Sequence, residues 1–137
     1  GKVLYVEEFV IAVRTGHPIL EQPTLDRYWG LGHVVVSAGS DPQGFVDLAA
    51  GDARQRRVAL TVPNFLMALA AVAGTDLAAA VPRRFAALHA GRFGLSTVPA
   101  PLPLPSFALH ATLPELAIAD RGTAWLFETI TAAVATG

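Results

Sequence analysis

The segment Val62-Pro63-Asn64-Phe65 places an amide side chain where a β-branched run gives way to an apolar helical pattern. An asparagine at that point can accept a hydrogen bond from the first helical turn, and the backbone N–H groups behind it have no intrahelical partner. Such a terminus attracts a carboxylate or phosphate. Where it also follows the carboxyl end of a strand in an open α/β sheet, it lines the crevice in which small ligands sit. Pro63, Asn64 and Phe65 are therefore candidate ligand contacts, and Phe65 fits a core position as well.

The histidines His17, His33, His89 and His110 are widely separated, and no two stand at i, i+4, so no metal site is expected. His17, in front of Pro18, suits a turn. His33 opens the apolar run His33-Val34-Val35-Val36, where an imidazole could meet a carboxylate or serve a structural role. Covalent and acid–base catalysis find no constellation. There is no Gly-x-Ser-x-Gly, His-Glu-x-x-His or Gly-x-Gly-x-x-Gly, and the adjacent Glu7 and Glu8 project to opposite faces of an extended segment. No catalytic residue and no cofactor are expected.

The elements that position these residues follow from periodicity and punctuation. Phe9–Val13 reads as a strand stopped by Gly16 and Pro18, followed by a short helix from Pro23 to Trp29 with Thr24 as its cap. His33–Ser37 is an interior strand, Ser40–Gly44 a turn, and Phe45–Ala50 the start of a helix. Arg57–Val62 is the next strand, leading through the Asn64 cap into a helix over 65–73. Leu77–Val81 is a strand, and Pro82 suits the first position of a helix over 83–90 that Gly91 or Gly94 ends. Strand–helix alternation of this kind predicts a mostly parallel sheet.

Residues 98–105 (VPAPLPLP) carry four of the ten prolines and read as an extended connection. Phe107–Thr112 is a further strand. Asp120 caps a last helix over 121–135, on which Trp125 suits a packing anchor.

Composition agrees with a buried sheet. Of 137 residues, 53% are hydrophobic and 15% charged, with mean hydropathy +0.46. The longest apolar run, Phe65 to Val81, is broken by Gly74-Thr75-Asp76, short of a membrane span. A net charge of −1 and only two small basic clusters, Arg54–Arg57 and Arg83-Arg84, do not suit a nucleic-acid surface. The start, GKVLYVEEF, lacks the form of a signal peptide, and the absence of cysteine fits a reducing compartment, so a cytoplasmic location is expected.

In order, the pieces LYVEEFVIAVRTGHP (4–18), His33-Val34-Val35-Val36, Val46-Asp47, RVALTVPNF (57–65), TDLAAAVPRR (75–84), Pro101-Leu102-Pro103 and DRGTAWL (120–126) resemble the effector-binding domain of LysR-type transcriptional regulators, in the branch that senses aromatic acids and nodulation signals. The resemblance implies an α/β, periplasmic-binding-protein-like (type 2) lobe with a mostly parallel sheet flanked by helices. It further implies a hinge or inter-lobe crossing segment over 1–8, a second lobe over 9–100, and a return strand and C-terminal helix of the first lobe over 101–137.

The function implied is sensing of a small aromatic or carboxylated effector between two lobes, with His33, Pro63, Asn64 and Phe65 as contacts, in a homodimer or homotetramer. DNA would be bound only through a winged helix-turn-helix outside this chain, and no membrane would be a partner. The alternative is a solute-binding protein for transport.

Overall fold

Alternating β-branched and alanine-rich runs leave this chain little choice but sheets covered by helices. The computed structural model describes residues 1–37, 57–101, 104 and 106–136. The turn expected at 40–44, the helix expected from 45 and the basic residues Arg54 and Arg56 lie outside these. The chain divides into two compact units, Glu8–Pro105 and, separately, Gly1–Glu7 with the residues from Ser106 onward.

The larger unit holds β2 (Phe9–Arg14), α1 (Leu25–Gly30), β3 (Gly32–Val36), β4 (Arg57–Val62), α2 (Phe65–Ala73), β5 (Ala78–Pro82), α3 (Arg83–His89) and β6 (Leu95–Pro99). Its five strands are ordered β4-β3-β5-β2-β6. β3 pairs in parallel with β4 and β5, whereas β2 is antiparallel to both β5 and β6. Four strands thus share one direction and β2 alone opposes them, so the sheet is mostly parallel. One face, bearing Ala12, Val34, Ala79 and Val81, packs under Ala68, Leu69 and Val72 of α2 and Ala86 of α3. Ile11, Val13 and Val35, buried as well, alternate onto the other face.

Caps fall where small polar residues precede apolar runs. Thr24 Oγ1 accepts the Arg27 N–H (3.3 Å) at the start of α1, and Asn64 Oδ1 accepts the Met67 N–H (2.9 Å) at the start of α2. Pro82 departs from expectation. It pairs with Phe9 as the last residue of β5 and stands outside α3 as its N-cap, because the next N–H, of Arg83, bonds to the Glu8 carbonyl (2.8 Å) and extends the strand contact. A second departure is β6: Val98 and Pro99 belong to a strand rather than a connection. As β6 is an edge, the donor that proline lacks is not missed.

The smaller unit pairs β1 (Lys2–Glu7) antiparallel with β7 (Phe107–Ala111), followed by α4 (Glu115–Ile118), which the sequence did not signal, and α5 (Arg121–Thr136). Asp120 Oδ2 accepts the Thr123 N–H (2.9 Å) as the cap of α5. Trp125 is 65% exposed rather than a buried packing anchor, because a helical apolar pattern does not by itself specify a surface to cover it.

Candidate functional site

Val36 and Val62 lie opposite each other at the carboxyl ends of β3 and β4, and Pro82 ends the parallel neighbour β5. The chain leaves β4 through Pro63 directly into α2, so that helix begins at this edge of the sheet. The Ser37 N–H closes the edge by bonding to the Val62 carbonyl (2.9 Å). Asn64 holds an extended backbone (φ −152°), which lets its carbonyl take the Ala68 N–H (3.2 Å) while its side chain takes that of Met67. The N–H groups of Phe65 and Leu66 are then left at the positive end of a nine-residue helix. Among the described residues, the Asn64 amide NH2 has no acceptor, so one exposed side chain and two backbone donors share this terminus.

Phe65 is half-buried and joins an aromatic row along the same edge. Its ring centroid is 6.3 Å from that of Phe9 and 6.2 Å from that of Phe85, both tilted by 53°. Leu66 and Met67, by contrast, are 48% and 49% exposed. Leu66 fits the apolar helical spacing of residues 65–73, yet spacing alone does not separate a buried side chain from its exposed neighbour. The exposed apolar surface beside the N–H groups comes from these two residues.

His33 is not at this edge. It pairs with Val58 and Ala78 at the amino ends of β3 and β5 and is 1% exposed. Its Nε2–H donates to the Tyr28 carbonyl (2.9 Å) and its ring meets that of Tyr28 at 4.7 Å, edge to face. The structure therefore brings Pro63, Asn64 and Phe65 together and sets His33 apart, because His33 opens β3 at the end of the strands opposite to the one at which α2 begins. His17 does hold a turn: Nδ1 accepts the Ile19 N–H (3.0 Å) and Nε2–H donates to the Asp76 carbonyl (2.9 Å). The Asp76 carboxylate receives Arg14 Nε at 2.6 Å, and that hydrogen-bonded guanidinium lowers its pKa from 3.8. Among the described residues no group of three or more His, Cys, Asp and Glu could hold a metal ion, and no helix is long and apolar enough to cross a membrane.

A mostly parallel sheet flanked by helices, with a helix terminus and an aromatic row at its carboxyl edge, defines a lobe of the periplasmic-binding-protein-like, type 2 class. Residues 1–135 match the LysR substrate binding domain family, and the chain belongs to it. It is 35% identical over 125 residues (90% of this chain, 42% of the relative) to the HTH-type transcriptional activator NagR of a Ralstonia species. It is 34% identical, with the same coverage, to the activator NahR of Pseudomonas putida.

Nodulation protein D 2 of Rhizobium tropici is 29% identical over 128 residues, 91% of this chain and 41% of that protein. The regulatory domain of MexT, a transcriptional activator of Pseudomonas aeruginosa, superposes with a TM-score of 0.78 at 28% identity, covering 96% of this chain and 65% of that one. The chain thus spans about two-fifths of the curated relatives it matches.

Proposed function

We propose that this chain is the ligand-sensing part of a LysR-family transcriptional regulator, in which a small aromatic or carboxylated effector binds at the carboxyl edge of the larger unit. The observation that carries the reading is the start of α2. Asn64 NH2 and the N–H groups of Phe65 and Leu66 offer hydrogen bonds to an anion, and exposed Leu66 and Met67 offer apolar surface beside them.

Pro63 and Asn64 are direct contacts in this reading. Phe65 sets the helix start through Phe9 and Phe85, and His33 supports the fold rather than the effector. The larger unit serves as the second lobe and the smaller one as part of the first. Binding would change the equilibrium between lobe arrangements in a homodimer or homotetramer, and so the placement of DNA-binding segments outside this chain. The regulator is non-catalytic and cytoplasmic in this view. Relatives named as transcriptional activators support it over a transport role.

The test is a thermal-shift screen of the intact protein that contains this chain against aromatic carboxylates. A stabilising compound whose effect disappears in Asn64→Asp supports the site. A compound that stabilises both proteins equally overturns it.

A further inference from the structure

The end of the larger unit remote from Asn64 carries a cavity of about 340 Å³. Its walls are the turn after β2, at His17 and Ile19, the last turn of α1, at Arg27, Gly30 and Leu31, and Asp76 between α2 and β5. These walls are fixed to one another. His17, 3% exposed, ties the first to the third through its bonds to the Ile19 N–H and the Asp76 carbonyl. Thr75 secures the Asp76 turn by accepting the Leu77 N–H (3.3 Å) and donating to the Ala71 carbonyl (2.9 Å). The Thr24 cap holds the turn of α1 that carries Arg27. A preformed concavity of this size suits a small organic molecule.

The charges around it are unequal. Asp76 is paired through one oxygen with Arg14 Nε at 2.6 Å, which offsets its charge. Among the described residues the Arg27 guanidinium has no acceptor, and its planar fork matches a carboxylate. Pro18 and Leu31 supply apolar surface over the buried Ile19. At Gly30 an added Cβ would meet nothing within 4 Å, so that residue leaves the space open.

We propose that this cavity is a second binding site, for a small carboxylate with an apolar body: the carboxylate on Arg27, the body against Pro18 and Leu31. It stands independently of the effector crevice, which lies at the other end of the strands.

The experiment is ¹⁹F NMR of 4-fluorobenzoate with the intact protein carrying Asn64→Asp, which disables the proposed crevice. Saturable line broadening is expected to persist in that background, to vanish with Gly30→Leu added, and to need at least tenfold more ligand with Arg27→Gln added. The neutral 4-fluorobenzamide is expected to bind at least tenfold more weakly. Loss of all broadening in Asn64→Asp alone would overturn the second site, as would equal binding of the amide, or binding indifferent to Arg27→Gln. Because Arg27 is exposed, that variant decides the matter even if Gly30→Leu fails to fold. If the wild type and Asn64→Asp give the same stoichiometry, the crevice reading fails while the cavity stands.

Discussion

His33 and Asn64 stand at opposite ends of one strand pair: His33 is opposite Val58, four residues before Val62, and Asn64 follows beyond Val62. His33 stands three residues before Val36, the partner of Val62, with the extra residue of β4 taken up by a register irregularity between His33 and Val34. At about 3.3 Å per residue, about 10 Å of ladder separates the imidazole's strand position from that last pair. A ligand seated on the α2 terminus is therefore out of reach of a buried ring on the Tyr28 carbonyl. His33→Ala should lower stability by about 2–4 kcal/mol, through lost packing on Tyr28 and an orphaned carbonyl. Effector affinity should be unchanged. Denaturant melts and a binding isotherm on the same variant check both halves.

Asn64 combines a cap with a proposed contact, and two substitutions separate them. Asn64→Ala removes the acceptor for the Met67 N–H and should cost about 1 kcal/mol. Asn64→Asp keeps that acceptor and suits the helix dipole, so stability should recover. Its negative charge should still weaken a carboxylate effector by at least tenfold. Recovery of both stability and affinity in the aspartate variant would remove Asn64 from the site.

Leu69 is fully buried between α2 and the sheet. Leu69→Ala should destabilise by about 2–5 kcal/mol, part of it from the cavity left beneath the helix. Urea unfolding measures this, and a value under about 1 kcal/mol would mean that α2 can collapse onto the sheet.

Gly94 and Gly74 both face open space, yet their backbones differ. Gly94 has φ +66°, whereas Gly74 has φ −111°. Gly94→Ala should cost about 1–2 kcal/mol from left-handed strain alone. Gly74→Ala should be neutral, or gain about 0.4–1 kcal/mol by restricting the unfolded chain. The melting midpoint should fall in Gly94→Ala and should hold or rise in Gly74→Ala.

Asp76 and Asp120 have pKa values lowered below 3.8, the first by the hydrogen bond and charge of Arg14, the second by hydrogen bonds from Thr123. Each carboxylate is thus bound more favourably in the folded state, and its contribution is present above the unfolded pKa and lost as pH falls through the folded value. The melting midpoint should be insensitive to these groups above about pH 5 and fall below about pH 4. In Asp76→Asn the acid limb should become shallower; an unaltered limb would show that the Arg14 pair adds nothing.

Much of the larger unit could be read without coordinates. Arg57–Val62 and Phe65–Ala73 occur with the expected bounds, because a β-branched run, a proline, a capping asparagine and a 3.6-residue apolar period are all local signals. The caps at Thr24, Asn64 and Asp120 were legible for the same reason.

What only tertiary structure decided was direction and neighbour. That β2 opposes the other four strands, and that Val98 and Pro99 form an edge, depends on which strands meet, which no local pattern encodes. The same holds for the site. The family resemblance grouped His33 and Asn64 as contacts of one effector, whereas the parallel register of β3 and β4 puts them at opposite ends of the strands. Local residue types fix where a helix begins and which groups it leaves unpaired. Long-range strand pairing fixes what stands beside it.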